Sequence, residues 1–266
     1  MSNKLGFIGC GKMAKAIIKG ILNAEYINNN DIMASTNSPE ESQKASEELN
    51  IQVITDNKKI VEFADIIFIA TKPYQVEPVL TEIKDTLTDE KLIVSIAAGV
   101  KTTKIEAITN KTPVIRVMPN TPALVQEGMS ATTKGSFASD KQEKLVQEIL
   151  SKVGKVISVE EKQIDIVTAI SGSGPAFFYQ IFEDMAQAGV KLGLDYEKSL
   201  LLAVQTAIGS AKMTIHRDKP LTELIANVAT KGGCTEVGIN TMHELNSDKF
   251  FEEVISKTTK KAHDLG

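Results

Sequence analysis

The residues that could do chemistry gather in two glycine turns at opposite ends of the chain. The first is Gly9-Cys10-Gly11-Lys12-Met13-Ala14, with Gly9, Gly11 and Ala14 at the G-x-G-x-x-A spacing. In that pattern the first glycine permits a tight turn and the second lets backbone approach a pyrophosphate. The small third residue keeps a helix close to a sheet. The helix start offers unpaired N–H groups and the positive end of a dipole, so the chemistry is capture of a dinucleotide's phosphates. The second turn is Lys231-Gly232-Gly233-Cys234-Thr235. A glycine pair ahead of a helix exposes consecutive N–H groups, which suits a carboxylate. On spacing alone it serves equally as a plain helix–helix connection with Thr235 as N-cap. The Thr235 hydroxyl is too weak an acid to ionise near neutrality, so it suits orientation and hydrogen bonding. Neither Cys10 nor Cys234 has a histidine nearby in sequence, and nucleophilic catalysis is not indicated. His216, His243 and His263 are scattered, without paired cysteines or an H-E-x-x-H spacing, so no metal site is expected.

Composition narrows the partners. A chain of 266 residues accommodates one large or two ordinary domains. Its formal charge of −4, with no basic run, argues against a nucleic-acid scaffold. Two cysteines far apart are no disulfide framework, and a reducing cytoplasm is the expected compartment. No 18-residue apolar stretch occurs, and a charged residue and a strand come at once, so neither a membrane span nor a signal peptide is expected.

Elements that would position the two turns can be read from periodicity. Residues 3–8 read as a strand, buried at Leu5, Phe7 and Ile8, and Met13, Ala16, Ile17, Gly20 and Ile21 form one helical stripe behind it. A second strand, 32–35, ends in Ser35-Thr36-Asn37. An NAD site places a carboxylate at that end, whereas Asp31 is at the other one. Hydroxyl and amide groups without a carboxylate accept a 2′-phosphate, so NADPH is favoured, with NADH possible. No arginine is at hand; Lys44, inside the next helix, is the candidate substitute, and it reads also as a solvated surface lysine. The uninterrupted apolar run 66–70 marks a central parallel strand, and it ends in Ala70-Thr71-Lys72-Pro73. Ligands of open parallel sheets gather at strand carboxyl ends, which puts this tetrapeptide on a cofactor's path. Lys72 reads equally as a solvated loop lysine. The strand 92–96 leads into Ala97-Ala98-Gly99, and 114–118 into Pro119-Asn120-Thr121-Pro122, small turns that leave room for a flat ring. Residues 129–134 and 155–159 are two further strands around a helix at 139–152.

Near residue 160 the composition changes, and the chain is helical to the end. The expected division is a dinucleotide-binding domain over 1–160 and a helical domain over 161–266. Ser171-Gly172-Ser173-Gly174-Pro175 enters a helix at 175–192, and another spans 196–215. The second is apolar around most of its circumference, from Leu200 to Ile215, and such a helix must be buried on all sides. A domain of about a hundred residues has little interior to offer it. A second subunit is expected to cover it, giving a homodimer through the C-terminal half.

The chain resembles pyrroline-5-carboxylate reductase. The matching pieces are G-F-I-G-C-G-K-M at 6–13, A-T-K-P at 70–73, S-I-A-A-G-V at 95–100, M-P-N-T-P at 118–122, S-G-S-G-P-A at 171–176, and P-L-T-E-L-I-A-N-V-A-T-K-G-G-C-T-E-V-G-I-N-T-M-H-E at 220–244. They fall in family order across nearly the whole chain. One departure is Lys231, where the family usually has proline. The resemblance implies an α/β Rossmann-type N-terminal domain, an all-helical C-terminal dimerisation domain, and reduction of a cyclic imine to L-proline by NADPH or NADH. Carried over, the pyrophosphate turn is Ile8, Gly9, Cys10, Gly11, Lys12 and Met13. The adenosine end falls on Ser35, Thr36, Asn37 and Asn57, and the nicotinamide side on Ala70, Thr71, Lys72, Pro73, Ile96, Ala97 and Ala98. The substrate region falls on Glu161, Asn227, Gly232, Gly233, Cys234 and Thr235, with Thr235 as the catalytic hydroxyl. Two alternatives stand beside this reading. A β-hydroxyacid dehydrogenase would carry a lysine early in the helix after Ser171–Pro175, which here reads A-F-F-Y-Q. A dinucleotide sensor would keep the fold without chemistry.

Overall fold

Short apolar runs buried on both faces become the centre of a parallel sheet, and this chain has several. A computed structural model describes residues 4–265. In it the strands are β1 (Leu5–Ile8), β2 (Ile32–Ser35), β3 (Gln52–Ile54), β4 (Ile66–Ile69), β5 (Leu92–Ser95), β6 (Val114–Met118), β7 (Gly128–Lys134) and β8 (Gly154–Ser158). They form one sheet in the order β3-β2-β1-β4-β5-β6-β7-β8. All pairings are parallel except β6 with β7. At the centre Phe7 and Phe68 are register partners, and their rings stack 4.5 Å apart.

Helices cover both faces. On one side lie α1 (Lys12–Asn23) and α6 (Asp140–Leu150), which bury Ile17, Ile18 and Ile21 with Val146, Ile149 and Leu150. On the other, α3 (Asn57–Phe63), α4 (Pro73–Ile83) and α5 (Thr102–Thr109) bury Ile60, Val61, Val76, Leu80, Ile83 and Ile105. Between β2 and β3 the chain forms α2 (Pro39–Leu49), entered as its sequence suggests: Ser38 Oγ accepts the Glu41 N–H at 3.3 Å, with Pro39 at N1. The chain order reverses between β1 and β4, and that crevice is where open α/β sheets bind ligands.

Beyond β8 the described chain is helical: α7 (Ile164–Val167), α8 (Gly174–Lys191), α9 (Tyr196–Ile215), α10 (Leu221–Val228), α11 (Cys234–Glu244) and α12 (Ser247–Asp264). Between α7 and α8, Thr168–Gly172 widen into a π turn, closed by the Ser173 N–H donating to Thr168 O at 2.8 Å. Periodicity does not reveal such a turn. The chain divides into two compact units, one running to Ser173 and including the last residues from Thr258, the other Gly174–Lys257. The first unit thus holds Glu161–Ser173 beyond the last strand, for reasons visible in the side-chain contacts described below.

Within the second unit, α9 does not bury its apolar circumference in one chain. Only Ser199 and Ala203 are buried, while Leu201 is 67% and Ile215 68% exposed. Leu202, Ile208 and Met213 are exposed as well. Covering one such side chain is worth about 1.5–3 kcal/mol, so this face is strongly biased toward a partner. No helix of the described residues is long and apolar enough to cross a membrane.

Candidate active site

Backbone hydrogen bonds sew the strand tips into a row. Just past its strand, each tip donates to its neighbour: Thr36 N–H to Ile54 O, Gly9 N–H to Ser35 O, Ala70 N–H to Ile8 O and Ile96 N–H to Ile69 O, at 2.8–3.2 Å. Ile8–Gly9, Ser35–Thr36, Ala70 and Ile96, which the sequence scatters over nearly ninety positions, are therefore neighbours on one edge. Gly9 has φ +93°, and a Cβ there would lie 2.8 Å from Ala70 O. Only glycine combines that backbone with that approach.

Three features of this edge fit a dinucleotide. Helix α1 starts at Gly11 with no side-chain cap. Its first amides, Lys12 and Met13 among them, are left for an outside acceptor. Space is open above Gly11, where an added Cβ would meet nothing within 4 Å. Thr71 Oγ1 is one of two buried side-chain polar atoms without a hydrogen-bond partner among the described residues, and a buried orphan hydroxyl beside a ligand path is a feature that a ligand explains. Lys72 and Pro73 are exposed at the start of α4. Beyond Ile96, Ala97 is buried and Ala98 exposed. Cys10 is half-buried, and burial pushes its thiol up to about 11, against a smaller downward pull from Lys15. It is a packing residue in its neutral form.

At the adenosine end the structure refines the sequence reading. Ser35 is 1% exposed and donates its hydroxyl to Asn57 Oδ1 at 2.7 Å, so that hydroxyl is spent on Asn57. Asn57 donates in turn to Glu82 Oε2 at 2.9 Å. The Thr36 hydroxyl donates to Ser38 O at 3.1 Å and lies 2.7 Å from Ser42 Oγ. Asn37 and Lys44 are exposed. Glu82 carried no signal in the sequence.

Glu161 is held firmly. Its Oε1 accepts from Arg116 Nη1 at 2.6 Å and its Oε2 from Thr102 Oγ1 at 2.7 Å. Arg116, in the middle of β6, is 3% exposed. A lone cation inside the run V-I-R-V-M was a legible signal for such a buried partner, and it was missed. Asn120 donates to Ser171 O and Oγ and accepts the Met129 N–H at 2.8 Å, joining the M-P-N-T-P and S-G-S-G-P pieces. These contacts hold Glu161–Ser173 to the first unit.

In the second unit, α10 carries Asn227, exposed, and leads into the glycine turn. The N-cap of α11 is Gly233, not Thr235, which is instead the second residue of the helix and half-buried. Gly232 has φ +78°. Its N–H donates to Glu236 Oε2 at 2.7 Å, and that of Gly233 to Thr230 O at 2.9 Å. The amides expected to greet a carboxylate around Gly233–Thr235 are thereby narrowed. Gly232 and Gly233 use theirs inside the turn, which leaves those of Cys234 and Thr235 in the helix's first turn. Cys234 and Lys231 are exposed.

A doubly wound sheet with an uncapped, open phosphate turn and an orphan hydroxyl beside it defines a dinucleotide-binding α/β protein with a helical C-terminal region. Residues 4–99 match the family described as NADP oxidoreductase, coenzyme F420-dependent, and residues 161–265 match pyrroline-5-carboxylate reductase dimerisation. The pyrroline-5-carboxylate reductase of Methanosarcina acetivorans is 37% identical over 266 residues, covering 100% of this chain and 98% of that one. That of Arabidopsis thaliana is 35% identical, over 94% of this chain and 89% of its own. The structure of a pyrroline-5-carboxylate reductase from Coxiella burnetii superposes with a TM-score of 0.94 at 32% identity, over 100% and 99% of the two chains. The Plasmodium falciparum pyrroline carboxylate reductase, solved with NADP bound, gives 0.88 at 32% identity, over 100% and 98%. The chain belongs to the pyrroline-5-carboxylate reductase family. The hydroxyacid dehydrogenase and sensor alternatives are set aside with that membership.

Proposed function

We propose the following division of labour for the family reaction, the reduction of 1-pyrroline-5-carboxylate to L-proline with NADPH, the last step of proline synthesis. Residues 1–160 hold the cofactor and 161–266 hold the substrate and the partner subunit, a division supported by the composition change and by the family match from residue 161. The observation that carries the cofactor half is the sewn row of strand tips with its uncapped α1. The amides of Gly11, Lys12 and Met13 take the pyrophosphate, with Ile8, Gly9 and Cys10 shaping the turn. Thr36, Asn37 and Asn57, the last set by Ser35, receive the adenosine ribose. Ala70, Thr71, Lys72 and Pro73 with Ile96, Ala97 and Ala98 flank the nicotinamide, where the cofactor gives the orphan Thr71 hydroxyl a partner. The absence of a carboxylate after β2 supports NADPH over NADH.

Bound NADPH supplies a hydride to the imine carbon, and the ring nitrogen gains a proton. A protonated imine is the better electrophile. The Thr235 hydroxyl accepts from its N–H and orients the ring, while the Cys234 and Thr235 amides receive the carboxylate. Asn227, Gly232 and Gly233 shape this surface, and Glu161, paired with Arg116 and Thr102, is carried over from the family with the substrate residues. The proton comes ultimately from water, since a threonine hydroxyl does not ionise near neutrality. Most of the rate comes from holding the reacting carbons together.

The protein is a homo-oligomer, and the exposed face of α9 supports a dimer built through the helical half. Changing Leu201 and Leu202 together to lysine is expected to reduce the sedimentation mass from two chains to one; an unchanged dimer contradicts that interface. A cytoplasmic location and the absence of a nucleic-acid partner belong to the same reading, supported by free Cys10 and Cys234 and a net charge of −4.

The two cysteines test the site. At pH 8 a thiol pushed up to about 11 is almost wholly protonated and reacts slowly, gaining speed as pH rises, whereas Cys234 is exposed to the reagent. Mass spectrometry of iodoacetamide-treated protein is expected to show Cys234 modified first and protected by proline, and Cys10 protected by NADPH. Protection of neither contradicts the placement.

A further inference from the structure

We infer that Glu236 is a positioning residue for the reaction: by gripping the N–H of Gly232 it sets the turn that presents Thr235. The inference rests on the role given to Thr235 above. In a capping box the residue at the third helical position reaches back to the N-cap amide. Here Glu236, at that position of α11, reaches one residue further, to Gly232 N–H at 2.7 Å. The amide it grips belongs to the residue with φ +78°, the one left-handed link between α10 and α11. The N-cap itself has no side chain to hold the turn. Gly233 is drawn in as tightly, since a Cβ there would lie 2.9 Å from Thr230 O and 3.0 Å from its Oγ1. Lys231, immediately before, has no ring to fix its backbone, so the rigidity comes from these two amide bonds. The bond from Thr230 is backbone to backbone. The bond to Glu236 is charge-assisted and depends on a side chain, making it the stronger of the two and the one a mutation removes.

Thr235 lies between the two ends of that clasp. If Gly232 loses its acceptor, the glycine pair regains backbone freedom, and the Thr235 hydroxyl with the Cys234 amide loses its fixed direction. Displacement of about 1 Å in a positioning group costs as much as a hundredfold in rate, and the remaining Thr230 bond limits the loss.

The test is steady-state kinetics of the full-length protein with NADPH and pyrroline-5-carboxylate, for Glu236→Ala, Glu236→Gln, Thr235→Ala and the double alanine variant. Glu236→Ala is expected to lower kcat about tenfold, the value of one charge-assisted hydrogen bond, with KM for NADPH within about twofold. Glu236→Gln keeps an oxygen that accepts the same N–H and is expected to retain at least about half of kcat. The double variant is expected to be no slower than Thr235→Ala, because Glu236 acts through Thr235. Wild-type kinetics in Glu236→Ala beside a crippled Thr235→Ala overturn this inference and leave the site reading standing. Additive losses in the double variant, or a glutamine variant as slow as alanine, overturn it too. Wild-type kinetics in Thr235→Ala overturn the site reading itself.

Discussion

Thr235→Ala is expected to lower kcat about a hundredfold with NADPH affinity changed by less than about twofold. The size follows from the role: one preorganised hydrogen-bonding group aimed at changing charge contributes about 10²–10³ in kcat. Thr235 stands second in α11, half-buried, in a helix that starts on a glycine without a side-chain cap. Its loss removes no buried partner, so thermal stability should hold. Serine at 235 keeps the hydroxyl and should recover most of the rate. A fall in NADPH affinity as large as the fall in kcat would mean that residue 235 belongs to the cofactor site. Equal activity in the alanine variant would remove its catalytic role.

The largest effect on stability is expected at Glu161. Removing its carboxylate in Glu161→Ala leaves the Arg116 guanidinium, 3% exposed, without its counter-charge. Breaking one partner of a fully buried pair costs about 3–5 kcal/mol; with the Glu161 side chain 29% exposed the cost is set at about 2–3 kcal/mol, a fall in Tm of roughly 5–10 °C for a unit of this size. Thr102→Val, which removes only a neutral donor to the same carboxylate, should cost about 1 kcal/mol. Replacing Arg116 and Glu161 together by methionine and leucine should restore much of the stability while activity stays low. That split separates the part Glu161 plays in holding residues 161–173 to the sheet from the substrate role the family resemblance gives it. A Glu161→Ala protein with unchanged Tm would show that the pair contributes nothing to the fold.

What was legible in the sequence was local. The G-x-G-x-x-A turn, the small residues after each central strand, the Ser38 cap of α2 and the start and end of α9 each follow from a few adjacent side chains. The apolar circumference of α9 led correctly to a homo-oligomer because burial was demanded and one chain could not supply it. Contacts between distant positions were not legible. Arg116 and Glu161 are separated by 45 residues, and Thr102 and Glu161 by 59, so only the isolated arginine in an apolar strand hinted at a partner. Ser35 was placed correctly at a strand tip, but its burial against Asn57 depends on the start of α3. At the second glycine turn the sequence left Thr235 open as an N-cap. Glycine took that position, and Glu236 from within the helix reaches back past it to the Gly232 amide, a contact that spacing along the sequence does not announce.

The central claim is that the strand-tip edge carries the nucleotide and the first turn of α11 carries the substrate's anion. A crystal structure of the protein with NADP+ and L-proline tests it most directly. The predicted result is a pyrophosphate on the amides of Gly11–Met13 and a proline carboxylate on those of Cys234 and Thr235, with the ring nitrogen at the Thr235 hydroxyl. Proline bound away from residues 230–236, or a nucleotide away from the Gly9–Met13 turn, would contradict it.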